Sequence, residues 1–248
     1  ACVNLGLQAE EELEALFRDP TLNPRLRARA LWVLNRIEGF NYRSLDIAFR
    51  EMNHNLRIVA LRAVRQRNSD PTEYIKRLTA DPHPQVRREC ALAINHNHTY
   101  EALDVWLQLA KQYKGNDRWS VEALSIGAIG QWERIFPAWL ERTGQNPEKT
   151  SAGRDLVWLA RTRQAIPYLT SLAADTSESF KSRLRYFRAF DFFHAGYEKS
   201  QALLHVMTVP AKDRIQVGKL ALLHLDKSFV SNSQQGLTAL NRLLDETY

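Results

Sequence analysis

Apolar residues recur at helical spacing along the first half of the chain, and the helices they mark recur in turn. Leu26, Leu56, Val86 and Trp119 fall in one column, at steps of 30, 30 and 33 residues. Four positions later stand the small residues Ala30, Ala60, Cys90 and Ala123, and one further on Leu31, Leu61, Ala91 and Leu124. Leu34, Val64, Ile94 and Gly127 hold the eighth place after the anchor. An anchor with apolar partners at +4, +5 and +8 forms one stripe on a helix, and small residues at a fixed place let a neighbouring helix approach closely. The pattern assigns all four anchors to the buried side.

A breaker precedes each of these helices: DPTLNP, MNHN, DPHP and KGND. Asp, Asn and Pro suit a helix start, where backbone donors lack partners and a missing N–H does no harm. Upstream of each breaker lies a shorter amphipathic run, EEELEALF, YRSLDIAF, EYIKRLTA or YEALDVWLQLAKQ. Each repeat therefore reads as helix, tight turn, helix. The later chain continues with pairs at 131–142 and 150–163, 164–174 and 180–195, and 197–207 and 211–226, closed by a helix at 232–246. No period-two alternation argues for a strand. The expected fold is all-α: an α-α superhelix of about seven helical pairs plus a terminal helix, forming one solenoid domain over residues 1–248.

Composition agrees with a packed chain, since 44% of residues are hydrophobic and 10% aromatic. The net charge of +6 is concentrated locally. Residues 25–88 hold 14 basic and 6 acidic residues, a net of +8, which leaves the remainder at −2. Such a basic third could attract a nucleic acid, an anionic membrane surface or an acidic protein, or it could be a solvated face. No run approaches 18 apolar residues, so no transmembrane segment is expected. The opening ACVNLGLQAEEELEALF suggests a cut inside a longer protein or after a removed signal.

Residues that carry chemistry are sparse. Cys90 lies in the apolar run ECALAI and reads as core, Cys2 lies near the first residue, and no CxxC or Cys/His cluster suggests zinc, haem or a disulfide. GxSxG, HExxH, paired metal-spaced carboxylates and a glycine-rich phosphate loop are missing, so no metal, cofactor or catalytic residue is expected. His96 and His98 in AINHNHTY read as polar capping at a helix end. Of the six tryptophans, Trp106, Trp119, Trp139 and Trp158 fall on apolar stripes and read as core; Trp32 and Trp132 fit less well. The basic run KSRLRYFR, 181–188, spreads around its helix and gives no clear face.

The stretch LTADPHPQVRRECALAI closely resembles the HEAT-repeat consensus, and LRARALWVL and LRIVALRAV are weaker copies. That resemblance implies a ladder of hydrogen bonds between successive repeats, made by an Asp before the second helix and an Arg just inside it. Here it would use Asp81 with Arg87, Arg27 and Arg57 in the preceding copies, and Asp19 as the acid of the first repeat. Asn53 stands where the second repeat's acid belongs. The order VRRECALAI, KGNDRWSVEALSIGA, RDLVWLAR, over about residues 60–165, also resembles the HEAT-repeat region of bacterial membrane-bound dehydrogenase proteins. In those, the helical region joins a propeller to a cytochrome c-like module. Neither neighbour is present in this sequence. The resemblance implies a scaffold module without its catalytic parts, in a periplasmic or cell-envelope setting.

In HEAT folds the second helices line the concave surface. Carried over, this places Trp32, Asn35, Arg36, Arg62, Arg65, Gln66, Asn95 and His96, flanked by Arg88, on a polar, basic strip suited to an acidic segment or a phosphate backbone. The expected function is a non-catalytic scaffold or interaction module whose partner is a protein or a neighbouring domain of the parent chain. The alternative is a nucleic-acid-binding enzyme resembling HEAT-like alkyl-purine DNA glycosylases, which need an acid and aromatic residues facing a basic groove. Asp117, Arg118 and Trp119 come closest, although the alignment puts Trp119 on a buried column and Asp117 at a cap. A phycobilin-lyase-like reading has fold alone behind it.

Overall fold

Short polar side chains at the starts of the helices set where each one begins. Asn23 accepts from the Arg25 amide and Asn53 from the Asn55 amide, both at 2.9 Å; His83 Nδ1 accepts from the Gln85 amide at 3.3 Å. Pro24 and Pro84 follow two of these caps, where the lost N–H removes no helical bond. Thr99 and Asp117 cap the next two helices in the same way. The computed structural model describes residues 9–37, 43–67, 70–144 and 146–245, and all regular structure among them is helical. Cys2 lies outside these residues.

The chain divides into two compact units, one of residues 1–113 with 117–130 and one of 114–116 with 131–248. The first contains α1 (Glu10–Arg18), α2 (Pro24–Leu34), α3 (Arg43–Ala48), α4 (His54–Gln66), α5 (Thr72–Leu78), α6 (Pro84–Ala93), α7 (Tyr100–Gln112) and α8 (Arg118–Gly127). Each alternation of short run and repeat helix thus falls where the sequence pattern placed it. Within this unit α2 packs on α4, α4 on α6 and α6 on α8, while α5 packs on α7. Leu56, Val86, Ala60, Cys90, Leu61 and Val64 are fully buried between them. At Gly127 a Cβ would come within 2.5 Å of the Ala91 carbonyl oxygen, so the α6–α8 contact depends on a residue without a side chain.

The second unit holds α9 (Trp132–Thr143), α10 (Ser151–Leu159), α11 (Ile166–Ala174), α12 (Phe180–Ala189), α13 (Tyr197–Thr208), α14 (Arg214–His224), α15 (Lys227–Asn232) and α16 (Gln234–Asp245). Here α10, α12, α14 and α16 pack in succession, and α11 packs on α13. Phe136, Leu169, Phe187, Phe190 and Leu203 form its buried centre. The closing helix expected at 232–246 is α16, and a short helix that the pattern did not mark, α15, precedes it. Backbone at Ser233 is extended, and a Cβ at Gly236 would come within 2.9 Å of the Val230 Cα, so the close approach of α16 to α15 needs glycine there.

Arginines tie successive repeat helices together, in a register the sequence reading did not fully anticipate. Arg57 makes a two-pronged bond to Asp81, Nε to Oδ2 at 2.7 Å and Nη2 to Oδ1 at 2.8 Å, and also reaches the Glu51 and Met52 carbonyls. Arg27 pairs with Glu51 and donates to the Phe17 carbonyl at 2.8 Å. The missing acid of the second repeat is therefore Glu51, two residues ahead of the capping Asn53. Two assigned rungs are corrected. Arg87 bonds the Asp81 and Pro82 carbonyls, not the Asp81 carboxylate, which Arg57 already occupies. Asp19 caps its own turn, accepting from the Thr21 amide at 2.8 Å and from its hydroxyl; the hydroxyl bond chiefly holds its carboxyl below the usual range. The second unit repeats the device: Arg154 pairs with Glu178 at 3.0 Å, and the buried Arg183 pairs with Asp213 while donating to the Ala173 carbonyl.

Candidate functional site

A groove of about 610 Å³ opens across α4, α6 and α8 of the first unit. Its apolar lining comes from Ile58 on α4, Leu92 on α6 and Ala123 and Ile126 on α8. Its charged lining comes from Arg62, Arg88, Glu89 and Glu122, and Trp119 stands at its edge, 71% exposed.

Trp119 was expected in the core, and its position is a correction with a clear cause. The helix caps Asn23, Asn53, His83 and Asp117 are spaced 30, 30 and 34 residues apart, so the fourth repeat has one residue more than the anchor column allowed. One residue turns a helix by about 100°. The anchor's place three after the cap thus falls on Ser120; Trp119 leaves the seam, and Val121, one place on, is buried in α8. The other tryptophans divide differently as well. Trp132 is buried despite its poor fit to the stripe, Trp106 and Trp139 are core as expected, and the Trp106 indole donates to the Leu124 carbonyl at 2.9 Å. Leu26, the first anchor, is exposed; α2 opens the row and, among the described residues, has no earlier repeat helix beside it.

The basic strip is present only in part. Arg62 and Arg65, one turn apart on α4, both reach Glu89 of α6, at 2.7 and 3.3 Å. Glu89 is buried, and a buried carboxylate is tolerable only when paired. That hydrogen bond chiefly accounts for the raised Arg62 pKa. Arg88 lies 3.6 Å from Asp117. Burial disfavours the charged form of Asp117. Hydrogen bonds from Ser120 and the Trp119 amide, with the Arg88 charge, outweigh it and hold the carboxyl below its ordinary value. Arg36, Gln66 and His96 are exposed, Trp32 and Asn95 half-buried, and His96 adopts a left-handed backbone just past α6. Asn35 is a correction: it is buried and donates to the Ala63 carbonyl at 3.0 Å, bridging α2 to α4 from inside. Glu89 is the residue that sequence reasoning missed. Its signal was an acid opening the apolar run ECALAI, with Arg62 and Arg65 in the repeat before it.

No group of three His, Cys, Asp or Glu side chains converges on a metal position among the described residues. Burial pushes the Cys90 thiol far up, so it stays protonated and unreactive. No helix among the described residues is long and apolar enough to cross a membrane. The groove offers an aromatic edge, an aliphatic floor and fixed polar groups. Comparisons with protein-family models, with curated proteins and with solved structures find no match.

Proposed function

We propose that this chain is a non-catalytic helical-repeat module of HEAT type whose first unit binds a segment of another protein, or of a neighbouring domain of its parent chain, along the α4–α6–α8 groove. One observation carries the reading: the groove's arginines are already matched by acids. Arg62 and Arg65 share Glu89, and Arg88 faces Asp117. A phosphate backbone would have to displace those carboxylates, and Glu89 could not follow its partners into water. What remains on offer is Trp119 with the aliphatic floor of Ile58, Leu92 and Ile126, which suits an apolar side chain flanked by hydrogen-bonding backbone.

The second reading, a nucleic-acid-binding module of the alkyl-purine glycosylase kind, is favoured by one feature: the exposed Trp119 ring, with Arg88 also lining the groove, could stack on a base. Anisotropy of a labelled DNA duplex separates the two. The protein-binding reading expects no duplex binding at about 150 mM salt, where surface charges are screened beyond about 8 Å. Tight binding that falls steeply with salt overturns it in favour of the second. A peptide-display selection on the immobilised chain should enrich sequences with a bulky apolar anchor. Trp119→Ala combined with Arg62→Glu should abolish their binding with helicity unchanged; enrichment indifferent to both replacements overturns the groove assignment.

A further inference from the structure

The second unit contains a cavity of about 370 Å³ that is chemically unlike the groove. It is formed by the turns that follow α10 and α12 together with the starts of α9 and α13. Arg161, Arg163 and Lys199 line it, with Phe192 and Tyr197. Phe192 is 62% exposed and Tyr197 is also exposed, so neither ring is held there by core packing. The Arg161 guanidinium carbon lies 3.7 Å from the centre of the Phe192 ring, and its Nη1 donates to the Trp158 carbonyl at 2.8 Å. The ring is thereby fixed as a platform, with an arginine against one face. Lys199 is tethered to the Phe193 carbonyl at 3.3 Å. Arg163 makes no ion pair among the described residues. Of the two carboxylates on the wall, Glu133 already accepts from the buried Thr162 hydroxyl at 2.9 Å, and Glu198 lies in the first turn of α13.

We infer that this cavity binds a small aromatic phosphate of nucleoside-monophosphate size: the ring stacks on Phe192 or Tyr197 while Arg163 and Lys199 take the phosphoryl oxygens. Arginine and lysine donors suit a dianion of this geometry, and an exposed aromatic face gives a base its stacking partner. The volume sits at the small end of the range for ligand pockets, about 300–1,000 Å³, and so admits one ring with one phosphoryl group but not a dinucleotide. Gly196 gives no side-chain cap to α13, which leaves the first amides of that helix available on the same wall.

Isothermal titration of the full chain with adenosine monophosphate tests this, with adenosine, inorganic phosphate and benzoate as separate arms. The expected result is saturable binding of the monophosphate, with each of the other three at least about tenfold weaker, a difference of about 1.4 kcal/mol. Arg163→Glu and Phe192→Ala should each weaken the monophosphate at least about fivefold, and Arg62→Glu in the other unit should leave it unchanged. Both replaced side chains are exposed, so helicity by circular dichroism should hold; Tyr197→Ala gives a third variant at the same wall. No binding of the monophosphate at millimolar concentration overturns the inference. So does phosphate alone binding as tightly, or affinity that none of the three variants alters.

Discussion

Helix α4 carries two arginines five residues apart, Arg57 and Arg62, each bonded to an acid of the next repeat, and the two edges of the helix treat them oppositely. Arg57 lies in the seam with its side chain 10% exposed, and both of its forks are taken by the almost wholly buried Asp81. Arg62 lies on the groove edge with its side chain 56% exposed, against the buried Glu89 that Arg65 also holds. Both acids are buried; what separates the pairs is the exposure of the arginine and the second arginine that Glu89 holds. In the seam, neither partner can be withdrawn without leaving a charge in the interior. On the groove edge the acid is just as buried, but Arg65 also holds it, so Arg62 alone can be withdrawn without leaving Glu89 unpaired.

The sharpest way to break this comparison is to remove one partner at each edge. Arg57→Ala should cost about 3–5 kcal/mol of stability, because Asp81 is left buried and unpaired; urea denaturation measures it. Replacing Arg57 and Asp81 together by Leu should recover most of that loss. A loss below about 1 kcal/mol for the single change would mean that the seam pair is as replaceable as the groove pair. A step down in size is Gly127→Ala, which pushes a methyl group onto the Ala91 carbonyl and should cost about 1–3 kcal/mol by prising α6 from α8. A neutral result would show that the contact has slack. Smaller again is Arg62→Ala, expected at under about 1 kcal/mol because Arg65 remains on Glu89 and the site is exposed. Its larger effect should be on peptide capture by the groove.

The smallest expected effect is a dependence on pH at the capping edge. His83 and His54 stack with ring centres 3.5 Å apart. Burial first, then the His54 ring and the Arg57 and Arg88 charges against the opposing pull of Asp81, lower the His83 pKa from 6.5. A base whose folded pKa is lowered binds fewer protons folded than unfolded. Its stability contribution is therefore intact above about pH 6.5 and is lost as pH falls from there through the folded pKa. Denaturation midpoints should drop across that window for the native chain. They should drop less for His83→Asn, which keeps the cap; equal slopes in both would remove His83 as the cause.

Much of the all-helical fold was legible because the rules that specify helices are local. The columns through Leu56, Val86, Ala60 and Cys90 were read as core and are core, and the breakers at Asn23, Asn53, His83 and Asp117 do start helices. Errors arose where one residue of register changes a face. The extra residue before α8 moves the anchor's place off Trp119, which lies outside while Val121 lies inside, and the column read from hydrophobicity alone chose the exposed one. The groove was half legible: Arg62 and Arg65 were picked out, but their acid was not. Glu89 lies 27 and 24 residues away in sequence, and nothing in composition says which of the acids in that third of the chain they will meet.

By itself, then, the sequence determined most of the helical segments and their starts, and most of their greasy faces, since propensity, capping and periodicity act within a turn or two of chain. Tertiary packing decided which charges are joined. Glu51 and not Asn53 receives Arg27, Asp81 receives Arg57 and not Arg87, and Glu89 holds two arginines at once. The reason is that a charge withdrawn from water must find its partner at about 3 Å, and such distances between separate helices are set only when those helices pack.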